Sequence, residues 1–248
     1  MNETLPFHGR MPMADVIHAD YKLIPVLARF GISFGFGNHT VEEVCQTNGI
    51  HPTFFLEIIS SYRDRSYFPA NRLRDFPAAM IIDYLARTHE YYLQVKIPAI
   101  QKQIEAMAGR ASRGNADNVR LLRQFFSEYT EELLVHLSHE DDRIFPYVLR
   151  LEKALRDGRT EGDLLRKIRE EPIAQFERNH DNVEEKLSDL KNLIIKFLPP
   201  LLCSEACQGL LTDLFRLEED LNNHTLIEEK VLIPKVKQLE KAYLEKST

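Results

Sequence analysis

The sequence predicts an all-α protein, an up-down four-helix bundle preceded by a small helical domain. Three observations predict it. Apolar residues recur at three- and four-residue spacing through long stretches, which is the period of one helix face. The run His136-Leu-Ser-His-Glu140-Asp-Asp-Arg-Ile-Phe-Pro146 recurs 88 residues later as His224-Thr-Leu-Ile-Glu228-Glu-Lys-Val-Leu-Ile-Pro234. Each copy follows another histidine at similar distance, His89 by 47 residues in one case and His180 by 44 in the other. Two successive helix pairs, each with one His and then H-x-x-x-E, compose a bundle with pseudo-twofold symmetry.

Bulk composition agrees. The chain has 248 residues, 44% hydrophobic and 28% charged, with only 10 glycines, the profile of a helix-rich globular protein with an ample core. A net charge of −6 with no Lys/Arg cluster makes the chain a poor candidate for a phosphate-backbone binder, so nucleic acid is not an expected partner. The most apolar stretch, Leu193 to Leu202, carries Lys196, Pro199 and Pro200 and is too short and broken to span a membrane. The N-terminus has no basic region leading into an apolar core; no signal peptide is expected, and the expected location is the cytoplasm. Cys45, Cys203 and Cys207 make no disulfide framework, and Cys203 with Cys207 reads as two small semi-buried residues.

The elements follow in order. Residues 1–68 form the small domain. Met13 to Phe30 has helical spacing in Val16, Ile17, Leu23, Ile24 and Leu27, and three glycines between Gly31 and Gly37 end it. Thr40 with Glu43 is a capping box that starts a short helix. Pro52 opens another toward Tyr62, and Arg63 to Arg74 reads as a linker. Residues 69–248 hold the bundle. Its first helix runs from about Asp75 to Met107, with Ile82, Leu85, His89 and Leu93 on one stripe. The second spans about Asn115 to Leu155, with Leu122, Phe126, Tyr129, Leu133, His136, Glu140 and Ile144 in line and Asp157-Gly158 as the stop. Pro172 opens the third, striped by Ile173, Phe176, His180, Val183, Leu187, Leu190 and Ile194 and ended by Pro199-Pro200. The fourth runs from about Ser204 to Tyr243 through Leu210, Leu214, Leu217, Leu221, His224, Glu228 and Val231. Pro98, Pro146 and Pro234 fall nine or ten residues past a histidine and are expected to interrupt their helices there.

His89, His136, Glu140, His180, His224 and Glu228 thus occupy places where the spacing demands core residues. An ionised Glu in a bundle core costs several kcal/mol, of order 5, unless paired or metal-bound. Arg87, Arg143 and Lys230 fall off the stripes, which leaves a metal cation as the counter-charge. A lone core His is ordinarily just hydrogen-bonded, but four on successive helices, two with Glu at i+4, point to metal. H-E-x-x-H is absent, cysteines lie far from these histidines, and E-x-x-H occurs at only one of them, Glu177 to His180, so zinc protease, structural zinc and ferritin-like sites fit poorly. Six N/O donors suit two ions, two His on each with both Glu bridging, and with an oxo or hydroxo bridge one coordination position stays open.

These residues resemble the hemerythrin-like (HHE cation-binding) family, four-helix di-iron bundles. Its oxygen carriers have five His, with H-x-x-x-H on the third helix and Asp five residues past the His on the fourth; here Glu184 follows His180 and the fourth helix has H-x-x-x-E. The set is similar instead to the repair-of-iron-centres proteins. Met13-Ala-Asp-Val-Ile-His18, Val26-Leu-Ala-Arg-Phe-Gly-Ile32 and Thr40-Val-Glu-Glu-Val-Cys45 resemble that family's small N-terminal domain. The resemblance implies two iron ions as an oxo- or hydroxo-bridged centre on His89, His136, Glu140, His180, His224 and Glu228. It implies a role in repairing iron–sulfur clusters damaged by oxidative or nitrosative stress, with damaged iron–sulfur proteins as partners and diatomic molecules or peroxide as small ligands. A homodimer is compatible with it. Phe34-Gly35-Phe36-Gly37-Asn38 stands where that domain usually carries adjacent cysteines, so thiol chemistry at this loop is not expected. His8, His18, His39, His51 and Cys45 could form a substitute site, but surface histidines are commonplace. Two rivals are a sensor that binds oxygen or nitric oxide, and a di-iron enzyme reducing peroxide or nitric oxide; no electron-donor site is readable, so turnover stays open. Storage is disfavoured by two fixed sites without a shell.

Among neighbouring residues, Glu132 is expected to be solvated or ion-paired rather than a proton relay. Glu184 is expected at the stripe's edge, His139 off the ligand face, and Tyr92 and Tyr129 in the core beside the His layer.

Overall fold

A computed structural model describes residues 7–63, 67–110, 116–178, 183–197 and 205–246, apart from the side chains of 110, 116, 177, 178, 183–185, 205 and 206. The described chain is all-α, with helices and no strand beyond one isolated bridge between Pro12 and Thr40. It groups into two units, Met1–Thr88 with Ile227–Lys235, and His89–Leu226 with Val236–Thr248.

The first unit begins with α1 (Met13–Ala19), α2 (Ile24–Arg29), α3 (Val41–Thr47), α4 (Pro52–Arg63) and α5 (Ala70–Asp75). The single apolar stripe from Met13 to Phe30 is broken in two. Asp20 is extended at φ −155° and its carboxylate accepts the Lys22 N–H, capping a 3-10 turn before Pro25 starts α2. Apolar periodicity cannot register such a break, because the cap is a polar side chain acting on backbone. Thr40 and Glu43 make the expected capping box. The Arg63–Arg74 stretch contains a helix, since α5 starts directly after Pro69. The Phe30 ring lies against Phe54, Phe55 and Tyr84 with centroids 5.1–6.1 Å apart, and Met13, Leu23, Leu27, Phe54, Phe55 and Ile58 are fully buried. Each buried side chain of that size contributes about 1.5–3 kcal/mol. Glu57 is buried here and accepts hydrogen bonds from the Tyr67 hydroxyl at 2.7 Å and the Arg72 guanidinium at 2.9 Å.

The long helices are α6 (Ala78–Tyr91) with α7 (Ile97–Arg110), α8 (Ala116–His139) with α9 (Phe145–Asp157), then α10 (Gly162–Glu170), α11 (Ile173–Arg178) and α12 (Val183–Phe197), and finally α13 (Glu205–Ile227) with α14 (Ile233–Lys246). In the second unit, α7, α8, α12 and α13 share one core, built from Ile100, Ile104, Leu122, Phe126, Leu133, Leu187, Leu190, Ile194, Leu210, Leu214 and Leu217. This is the four-helix bundle expected from the stripes. The segment before Pro172 holds a helix of its own, α10, and Gly158 closes α9 at φ +70°, a conformation glycine adopts at no steric cost.

The three prolines past the His layer alter their helices without ending them as expected. Each is preceded by a π-helical turn, at Tyr92–Lys96, Glu140–Ile144 and Glu228–Leu232. The backbone closes each turn with an i→i−5 bond: Ile97 to Tyr92, Phe145 to Glu140, Ile233 to Glu228. A proline in a helix lacks its N–H and its ring collides with the carbonyl four residues back. Those carbonyls belong to Gln94, Asp142 and Lys230, the middle residue of each π turn. The widened turn moves them clear and keeps the helix continuous.

Candidate metal centre

The first H-x-x-x-E arm ends α8 and runs into its π turn; the second does the same at the end of α13. His89 sits near the end of α6. His89, Glu140 and His224 come together, all buried, each offering a donor atom within 4.8 Å of the others, and Glu228 is buried as well. His89 and His224 point their Nε2 atoms at one another, 3.1 Å apart. Metal–nitrogen bonds of about 2.1 Å at right angles would place two donors about 3 Å apart, so this pair has the spacing of two neighbouring ligands on one cation.

Glu140 is shared. Its Oε2 lies 3.3 Å from His89 Nε2 and its Oε1 lies 3.4 Å from His136 Nε2. One carboxylate therefore turns its two oxygens to imidazoles from two different helices. His136 is 15% exposed, whereas Glu140 and His89 are about 1% exposed. Glu228 stands one turn past His224 as Glu140 stands one turn past His136. His180, the remaining expected ligand, lies outside the described residues, as does the side chain of Glu184.

Burial drives the His89 imidazolium toward deprotonation, but hydrogen bonds and charge from Asp141 and Glu140 outweigh it and hold the group up, to about 9. Buried carboxylates here draw a positive charge to the spot between them. A proton on His89 supplies it in the metal-free chain, and a divalent or trivalent cation on imidazole and carboxylate donors would supply it more fully. The donor set fits such a cation.

Residues off the ligand face are accounted for separately. Glu132 forms an ion pair with Lys186 at the surface. His139 stacks on Phe176 with centroids 5.7 Å apart. The Tyr92 ring meets His224 edge-on at 5.9 Å, and Tyr129 is buried in the bundle core. Arg87 pairs with Asp83, and Arg143 and Lys230 are exposed. Just before α3 and α4, His39 pairs with Glu43 and His51 accepts the Phe54 N–H, and among the described residues these histidines do not gather into a cation-holding group. Burial pushes the Cys45 thiol up to about 12, with Glu42 adding to the shift. Cys207 is a buried core residue and Cys203 lies outside the described residues.

Two contacts escape the three-four spacing rule. Asp141 Oδ1 lies 2.9 Å from His89 Nδ1, and the Phe145 ring stacks on the same imidazole at 5.4 Å and 20°. The signal for both was Pro146, which dictates the register change that brings them into place.

The stretch 80–236 matches the family model described as the hemerythrin HHE cation binding domain. The chain belongs to that family. It is also similar, 20% identical over 214 residues, to the iron–sulfur cluster repair protein ScdA of Staphylococcus haemolyticus; the match covers 85% of this chain and 90% of that protein. Among the described residues no helix is long and apolar enough to cross a membrane.

Proposed function

We propose that this hemerythrin-like chain is a non-haem di-iron protein that serves the repair of iron–sulfur clusters damaged by oxidative or nitrosative stress. The observation that carries the di-iron part is Glu140, with one oxygen turned to His89 and the other to His136. A mononuclear site has no use for a carboxylate divided between imidazoles of two helices. In this reading His89, His136, His180 and His224 would hold two irons, two imidazoles to each, with Glu140 and Glu228 shared between them. Residues 1–68 are the accessory domain and residues 69–248 the bundle. The bound pair supplies redox change and an open position for a small ligand. The chain's own residues fix four imidazole nitrogens, balance charge with two carboxylates and keep bulk water from the buried layer. Support for the repair role is the likeness to the staphylococcal repair protein, which spans nearly the whole chain.

The test is purification under reducing, low-oxygen conditions, followed by iron analysis and by incubation with a nitrosylated cluster enzyme. Two irons per chain and recovery of the enzyme's activity are expected. Two irons with a reversible spectral change on nitric oxide, but no recovery, would replace repair with sensing. Multiple turnovers of peroxide or nitric oxide with an added electron donor would replace it with reduction.

A further inference from the structure

The geometry points to Asp141 as a positioning residue for His89, placed by the π turn that Pro146 imposes. The inference rests on the metal reading above and concerns a residue outside its ligand set. The His89 ring has one nitrogen on each side. Nε2 faces Glu140 at 3.3 Å and His224 at 3.1 Å, and Nδ1 faces Asp141 Oδ1 at 2.9 Å. A carboxylate offers only acceptors to a ring nitrogen, so in the metal-free chain each nitrogen presents a proton to its carboxylate; when a cation displaces the proton on Nε2, Asp141 keeps the one on Nδ1. Asp141 cannot itself be a ligand to the cation Nε2 meets, because it stands at the opposite end of the ring. Its side chain is 39% exposed, so the contact leads outward from the buried layer.

The π turn makes this grip possible. Phe145 donates its N–H to the Glu140 carbonyl, five residues back, and so sits one wide turn beyond Glu140. In an unbroken α-helix Ile144 would occupy the place over Glu140 and no aromatic ring would face the imidazole. Within six consecutive residues, then, the second helix meets one nitrogen of His89 with Glu140, the other with Asp141, and the ring face with Phe145. The imidazole's direction and tilt are set by a neighbouring helix before any metal arrives. Removing an outer partner of a metal-bound His typically weakens metal affinity by about 10–100-fold.

The test uses the full chain with Asp141→Ala, Asp141→Asn and the exposed control Asp142→Ala. The first readout is the His89 Nδ1–H resonance in metal-free protein, by nitrogen-15 NMR. The second is the dissociation constant for ferrous iron by chelator competition. A protected Nδ1–H in the wild type, its loss in Asp141→Ala, and iron affinity down about 10–100-fold are expected. Asp141→Asn keeps an acceptor without the charge and should fall between, and Asp142→Ala should match the wild type. A wild type lacking that resonance, an Asp141→Ala chain that retains it, or an iron affinity within about twofold of wild type would overturn the inference. A wild-type chain that binds no iron would end the metal reading, and the proton readout would still decide the role of Asp141 in the metal-free protein.

Discussion

Two buried carboxylate environments in this molecule differ in what surrounds the charge. Glu57, about 1% exposed, meets a guanidinium and a phenol: Arg72 and Tyr67 both donate to it. Glu140, equally buried, meets the Nε2 atoms of His89 and His136. Arginine is always charged and donates in a fixed fork, so Glu57 is satisfied permanently and pins α4 to the segment that follows it. Imidazole can give up its proton and bind metal, so the charge at Glu140 is balanced by something exchangeable. A buried acid with arginine is a structural pin, and a buried acid with several imidazoles is a place kept for a cation.

Substitution should separate the two. Glu140→Gln together with Glu228→Gln should abolish dinuclear iron binding by metal analysis, while the metal-free chain keeps its helical signal. Full two-iron occupancy in that variant would break the comparison. Glu57→Gln should do the reverse, leaving iron stoichiometry intact and lowering stability by about 1.5–3 kcal/mol, the range for hydrogen bonds to a charged group, read in urea.

Titration sharpens the contrast. The ordinary His value of 6.5 rises to about 9 at His89, so the folded metal-free chain holds a proton the unfolded chain releases. The associated stability is complete below about pH 6.5 and is lost as pH climbs through about 9. The same proton competes with metal, so iron affinity should rise with pH over that window, followed by chelator competition at fixed ionic strength. At Cys45 the smallest effect is expected. With its thiol held up to about 12, the native chain should alkylate there with iodoacetamide at pH 8 far more slowly than the unfolded chain.

Much of this was legible in the sequence. The stripes placed the bundle helices, and His89, Glu140, His224 and Glu228 stood out because each breaks an apolar face where nothing polar should be. What period alone could not reach was side-chain-to-backbone chemistry and register change. The Asp20 cap split a continuous stripe, and Pro69 started a helix inside an expected linker. The π turns shifted register just past the ligands, bringing Asp141 and Phe145 onto His89 from positions an α-helical count sets aside. Glu57 lay hidden because its partners come from residues 10 and 15 positions away, beyond the end of its own helix.

The most direct measurement is the iron content of the wild-type chain after anaerobic loading with ferrous iron and removal of the excess. The account predicts two irons per chain, falling to one or none when Glu140 is changed to Gln. A wild type that retains at most one, or a Glu140→Gln chain that retains two, would contradict it.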